Sequence, residues 1–183
     1  AGTHPNLIPV LGKIDEHPEN VDGLVMALIE HGFTNLAGPP SLDSCTRDVY
    51  PEHARFTLSA AIRLALGIAS AASHLHAQGI VHGDLYAHNI LHAADGDALL
   101  GDFGAASFFS HEDQPQAEAL QRIEVRAFGC LLEELLERVN VTVDEKRALK
   151  ILGDLQNACA HENISARPLF AEVVRRLDAL TVG

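Results

Sequence analysis

Ile80-Val81-His82-Gly83-Asp84-Leu85-Tyr86-Ala87-His88-Asn89-Ile90-Leu91-His92-Ala93-Ala94-Asp95-Gly96-Asp97-Ala98-Leu99-Leu100-Gly101-Asp102-Phe103-Gly104-Ala105-Ala106 is the stretch around which this chain is organised. Residues 90–92 and 98–100 are short apolar runs on either side of a turn-forming cluster centred on Asp95-Gly96, which is a hairpin signal. Pairing His92 with Ala98 and Ile90 with Leu100 sets Asn89 opposite Gly101, with Asp102 one step further. Directly opposed residues in such a ribbon lie roughly 5 Å apart. A side-chain amide and a carboxylate therefore meet at one end of the hairpin. Both offer oxygen ligands of the kind Mg²⁺ takes together with phosphate oxygens and water. Asp84, on the loop entering the first strand, brings a second carboxylate close to the same point, free to orient or deprotonate a nucleophile.

His82-Gly83-Asp84 alone is common. His-x-Asp, an Asn five residues after the Asp, a hairpin and then Asp102-Phe103-Gly104 form an ordered set. That set resembles the catalytic loop and metal-binding motif of the protein-kinase-like phosphotransferases. The resemblance implies an α+β, mainly α fold. It would comprise a large helical C-lobe carrying the catalytic hairpin over residues 30–183, and two strands of the small N-lobe with the start of the hinge over residues 1–29. It implies ATP and Mg²⁺ as cofactors, Asp84 and Asn89 as catalytic residues, and Asn89 with Asp102 as metal ligands. A purely structural use of these residues is backbone hydrogen bonding by Asp84 and turn capping by Asn89 and Asp102. His82 is expected to pack under the loop, Phe103 to lie in the core, and Gly104 to permit a sharp turn.

Upstream, residues 4–12 resemble the segment by which kinases leave the regulatory helix and enter the next strand, and residues 21–29 are expected to form another strand. By that alignment the backbone of Ala27, Leu28 and Ile29 would hydrogen-bond the adenine base. Met26 either faces the back of the adenine pocket or packs within the strand. No Gly-x-Gly-x-x-Gly loop and no Val-Ala-Ile-Lys strand occurs in the sequence. Lys13, one of three lysines, sits after the His4-Pro5-Asn6 segment and is expected to be a solvated loop residue. The sequence starts at Ala1. It is expected to begin partway through a kinase domain, or to represent one lacking most of its small lobe, and so to be inactive by itself.

Residues 30–50 carry Gly32, Gly38-Pro39-Pro40 and Asp43-Ser44 and read as a long loop, with one helical turn over residues 34–37. The loop is either a substrate-facing insertion or a surface connection without a role. Residues 56–78 are apolar nearly all round and end at Gly79, which predicts a buried helix. His74 and His76, two apart, do not share a helix face and are expected to be ordinary helix residues. Residues 105–120 correspond to the activation segment, without an Ala-Pro-Glu ending. From Glu124, the residues Val125, Phe128, Leu131, Leu132, Leu135 and Leu136 keep a 3.6 period and resemble the central helix of the large lobe. Glu124 falls where the family places an Asp that holds the catalytic loop through backbone hydrogen bonds. Residues 144–160, capped by Asp144, and residues 166–177 are expected to form two further helices. Arg167, which in the family pairs with the Glu of Ala-Pro-Glu, needs another partner here.

Three substitutions depart from the family pattern. Gly83 replaces the Arg that meets a phosphorylated activation segment. Tyr86 and His88 stand where kinases place Lys or Arg, and neither a Tyr nor a neutral His supplies a fixed positive charge to the transferring phosphoryl group.

Composition narrows the partners. The chain has 183 residues, 47% of them hydrophobic, and a net charge of −12 from 25 acids against 13 bases. That length suffices for one domain with a core. The charge argues against nucleic acid and anionic membrane as partners. No apolar run stands out as membrane-spanning, and Cys45, Cys130 and Cys159 are odd in number and widely spaced; a soluble, cytoplasmic protein with reduced cysteines is expected. The function implied is ATP-Mg²⁺-dependent phosphoryl transfer to a protein hydroxyl in the full-length parent. Two alternatives are a pseudokinase or scaffold that binds a partner without transfer, and a small-molecule phosphotransferase. The second is suggested because aminoglycoside and choline kinases share the His-Gly-Asp motif.

Overall fold

The computed structural model describes residues 2–181 except His17, Asn20, Asp22, Glu30, Cys45 and Thr46. At its centre is the expected hairpin. β6 (Ile90–His92) and β7 (Ala98–Leu100) pair antiparallel in the register Ile90↔Leu100, Leu91↔Leu99, His92↔Ala98. The turn is closed by Ala93 N–H on the Asp97 carbonyl (2.9 Å) and Gly96 N–H on the Ala93 carbonyl (3.1 Å). The ribbon is widened on both sides. β3 (Thr34–Asn35) lies antiparallel to β6. Along β7 runs the N-terminal segment, with Leu100 N–H on the Asn6 carbonyl (2.8 Å) and Ile8 N–H on the Leu100 carbonyl (3.1 Å). The helical turn expected at residues 34–37 is thus a strand: pairing with the otherwise open edge of β6 outweighs local tendency.

Where two strands of a small lobe are expected lie β1 (Val10–Ile14) and β2 (Gly23–Met26), an antiparallel pair with an irregularity between Val10 and Gly12. The strand expected over residues 21–29 is shorter. The polar connection expected between the two strands falls partly outside the described residues, at His17 and Asn20.

Among the described residues four helices supply the bulk. α1 (Leu58–Ala77) is capped by the Thr57 hydroxyl on Ala60 N–H (3.2 Å). Two residues expected in this helix form β4 (Phe56–Thr57) instead, parallel to β9 (Val139–Asn140). By length and composition α1 is apolar enough to cross a membrane, contrary to the expectation that no segment is. Its apolarity has another cause: 67% of the qualifying window is buried inside the domain, as befits a central core helix. α2 (Gln114–Leu136) begins at Gln114 rather than at Glu124, because Asp113 caps Gln116 N–H (3.2 Å) and Pro115 sits in the first turn, where its missing donor costs nothing. α2 packs on α3 (Lys146–Cys159), and α1 on α4 (Phe170–Asp178).

Two helix starts differ from expectation. Asp144 does not cap α3; Glu145 precedes it, and its carboxylate instead holds Thr142 through N–H and Oγ1 (2.8 Å each). α4 starts at Phe170, and residues 164–166 form a separate 3₁₀ turn.

The core runs from α1 through the hairpin to α2. Phe128, Phe170, Leu64, Ile68, Ile90, Leu100 and Leu132 are all buried. Each such side chain contributes about 1.5–3 kcal/mol relative to exposure. Cys159 is buried and Cys130 half-buried, both as free thiols; Cys45 lies outside the described residues.

Candidate active site

β5 (Ile80–Val81) delivers the loop that follows α1. The next residue, His82, is fully buried, and its Nε2 donates to the Gly101 carbonyl at 2.7 Å. Its Nδ1 accepts Asp84 N–H at 3.3 Å. His82 thus joins the loop to the residue before Asp102, the packing role expected of it.

Gly83 takes φ +81°, and a Cβ there would lie 2.3 Å from the Ala105 carbonyl oxygen. Only glycine accommodates both the left-handed backbone and that approach. Its N–H donates to Glu124 Oε1 at 2.7 Å, while Glu124 Oε2 meets His76 Nε2 at 2.7 Å. Glu124 and His76 are both buried. Burial alone pushes the Glu124 carboxyl up, but the His76 bond and charge, with the backbone N–H groups of Gly83 and His82, outweigh it and hold the carboxyl below the usual carboxylate range. Glu124 therefore fills the loop-holding position despite its extra methylene. His76, expected to be an ordinary helix residue, is its buried partner.

Beyond Gly83 the structure brings Asp84 and Asn89 together. Asn89 Nδ2 donates to both the carbonyl and Oδ2 of Asp84, each at 2.9 Å. Those two bonds use the amide hydrogens and leave Asn89 Oδ1 as an acceptor. Gly101 N–H donates to the Asn89 carbonyl at 3.0 Å, so Asp102 follows directly on the hairpin end, as the register predicted. Asp102 has a left-handed backbone (φ +53°) and is exposed; its Oδ1 caps Gly104 N–H at 3.1 Å.

His88 lies between two acids. Its backbone N–H donates to Asp48 Oδ2 (2.9 Å), its Nδ1 meets Asp48 Oδ1 (2.8 Å), and its Nε2 is 3.4 Å from Asp84 Oδ2. The Tyr86 ring lies parallel to that of His88, with centroids 6.3 Å apart. Burial, then Cys130 and the acids Asp84 and Asp48, push the Tyr86 hydroxyl up, so it offers an uncharged group.

Of the residues expected to face a nucleotide, Met26, Ala27 and Ile29 are half-buried, while Leu28 is 96% exposed. The Ala27 N–H donates to the Pro9 carbonyl at 2.9 Å. A cavity of about 850 Å³ is lined by Leu7, Ile8, Val10, Leu24, Phe103 and Phe108 among others, and not by residues 26–29.

The segment after Asp102 is seated on the loop. β8 (Ser107–Phe108) pairs antiparallel with β5, and Phe109 N–H donates to the Gly79 carbonyl at 2.8 Å. The partner that Arg167 lacked is backbone: it donates to the carbonyls of His161 (2.8 Å) and Arg122 (3.1 Å), and Arg122 Nε returns a bond to the Arg167 carbonyl (3.0 Å). Sequence reasoning missed Asp48 and the role of His76. For His76 the signal was faint, since His74 and Arg63 also lie in this mostly apolar helix. For Asp48, inside a long loop, there was none.

The geometry is that of a kinase catalytic loop, and comparison with known proteins agrees. The sequence model for protein tyrosine and serine/threonine kinases matches residues 1–142. The chain belongs to this family. Among its relatives, the L-type lectin-domain containing receptor kinase V.7 of Arabidopsis thaliana is 31% identical over 176 residues, 93% of this chain and 25% of that protein. Serine/threonine-protein kinase 12 of Arabidopsis thaliana is 23% identical over 97% of this chain and 45% of that protein. Fibroblast growth factor receptor 1 of Pleurodeles waltl is 21% identical over 98% of this chain and 27% of that protein. The chain thus spans less than half the length of each of these three.

Proposed function

We propose that this domain, in the full-length protein, transfers the γ-phosphoryl group of Mg²⁺-bound ATP to a protein hydroxyl. The observation that carries the reading is the Asp84 carboxylate, 40% exposed and fixed through Oδ2 by Asn89. Among the described residues no hydrogen bond falls on its Oδ1. That oxygen is open to a hydroxyl, which Asp84 would orient and whose proton it would take as the new bond to phosphorus forms.

A Mg²⁺ ion fits the donors present. Asn89 Oδ1 and the free oxygen of Asp102 are two hard ligands. That suits an ion which keeps waters and phosphate oxygens as its other ligands. When bound, the ion would neutralise charge developing on the phosphates. Family membership supports a protein substrate, and two of the relatives named above are called receptors. The 183 residues carry neither the glycine-rich loop nor the strand lysine, so this chain alone is proposed to be inactive.

A second reading, binding of nucleotide or partner without transfer, is favoured by the uncharged Tyr86 in a position of positive charge and by the Ala27 amide bonded to Pro9. One assay separates the two. The full-length protein is incubated with Mg²⁺ and labelled ATP over an array of hydroxyl-bearing peptides, as wild type and as Asp84→Ala. Transfer by the wild type that drops at least ~10²-fold in the variant supports the enzyme. A folded wild type that transfers nothing, and binds a partner regardless of Asp84→Ala and Asp102→Ala, supports the scaffold.

A further inference from the structure

We propose that Asp48 is a positioning residue for Asp84, acting through the imidazole of His88; the proposal rests on the phosphotransfer reading above. Residues 47–50 form a strap over the loop, and each neighbour of Asp48 is tied down. Arg47 pairs with Glu133 and Glu134 of α2. Val49 exchanges both backbone hydrogen bonds with Gly38, at 2.8 and 2.9 Å. Tyr50 donates its hydroxyl to Glu134 Oε2 at 3.1 Å and lies under the Arg138 guanidinium, 4.0 Å from the ring centre.

The strap delivers the Asp48 carboxylate in a fixed direction. Its side chain is only 4% exposed, and both oxygens are taken by His88: Oδ2 by the backbone N–H, Oδ1 by Nδ1. A carboxylate only accepts, so Nδ1 carries a hydrogen and the ring is locked with Nε2 toward Asp84, a contact that attracts when Nε2 carries a hydrogen as well. Nε2 at 3.4 Å and Asn89 Nδ2 at 2.9 Å bracket the same oxygen, Oδ2. The carboxylate cannot swing about its terminal torsion without leaving both, and Oδ1 is the oxygen presented to the substrate. The long loop of residues 30–50 therefore fixes the orientation of Asp84 from a segment distant in sequence. Misplacement of a reacting group by about 1 Å can cost ~10²-fold in rate.

The test uses the full-length protein with Asp48→Asn, Asp48→Ala, His88→Ala and the double variant Asp48→Ala with His88→Ala. The turnover number is expected to fall at least ~10-fold in Asp48→Ala with KM for ATP within about twofold, and the double variant to be no slower than His88→Ala. Independent of activity, the side-chain ¹⁵N resonances of His88 are expected to move at Nδ1 in Asp48→Asn and at Nε2 in Asp84→Asn. Losses that add in the double variant, or an Nε2 resonance indifferent to Asp84→Asn, would overturn the proposal. A wild type that transfers no phosphoryl group defeats the phosphotransfer reading alone. The imidazole resonances then decide by themselves whether Asp48 sets His88 against Asp84.

Discussion

The Glu124 carboxylate accepts the backbone N–H of Gly83 at 2.7 Å, so a helix in the middle of the domain holds a loop that precedes it by 41 residues. Removing the carboxylate takes the partner from three donors, two of them on the buried residues His76 (Nε2) and His82 (backbone N–H), the third the Gly83 N–H. Glu124→Ala should therefore cost about 3–5 kcal/mol of unfolding free energy. Glu124→Gln keeps the shape and one acceptor and should cost about 1–2 kcal/mol. Urea denaturation of the two variants checks the order, and equal losses would show that shape rather than hydrogen bonding matters here.

The same carboxylate sets a pH dependence. Its native pKa lies below its unfolded value, so the ionised group stabilises the fold above the ordinary carboxylate range. That contribution is lost as pH falls through the native pKa. Thermal melts should show stability falling below about pH 4, with a shallower fall in Glu124→Gln, which has nothing to titrate at this position. Parallel acid profiles for wild type and Glu124→Gln would assign the lability to other groups.

Gly83 makes a prediction opposite in sense to family analogy. Restoring the missing Arg at this position ought, by analogy, to repair the loop. The structure says otherwise, because any Cβ meets the Ala105 carbonyl oxygen at 2.3 Å on a left-handed backbone. Gly83→Ala and Gly83→Arg should each cost about 2 kcal/mol or more, from backbone strain and displacement of the segment that carries β8. Hydrogen exchange should show the Phe109 amide, bonded to the Gly79 carbonyl, losing protection first. An unperturbed Phe109 in a stable Gly83→Arg variant would mean that the segment is not seated as described.

The parts of the site that could be read in the sequence are those made by neighbours in sequence. The hairpin register followed from strand alternation around one Asp-Gly turn, and with it came the placement of Asn89 and Asp102. The role of Glu124 was legible through the family resemblance, which puts a loop-holding acid at this position. Contacts between distant segments were not legible. Nothing local marks Asp48 as the partner of His88, 40 residues away, or His76 as the partner of Glu124, 48 residues away. The strand at Thr34–Asn35 was missed for the same reason: two residues acquire strand geometry from β6, not from their own propensity. The early start of α2 was missed because residues 105–120 were assigned to the activation segment by resemblance, although Pro115 two positions past the Asp113 cap is also a helix-opening signal.

Cys159 gives a probe of the core that needs no activity. It is fully buried at the end of α3, and burial pushes its thiol up to about 12. At neutral pH almost no thiolate is present, and no reagent reaches the sulfur while the helices stay packed. Labelling must therefore wait for opening. If α3 separates only when the whole domain unfolds, the protection of Cys159 equals the unfolding equilibrium constant, at least ~10³ for a small domain. Burial pushes the Cys130 thiol up too, against the nearby Arg126 guanidinium, but Cys130 is only half-buried, so it should react before Cys159. Mass spectrometry of timed labelling across a urea series decides between two cases. Protection of Cys159 that falls with the full denaturant slope of unfolding means that α3 and the catalytic loop share one cooperative core. Protection insensitive to urea means that α3 opens alone, and the loop would then keep its geometry, through Glu124 and His76, while α3 is away.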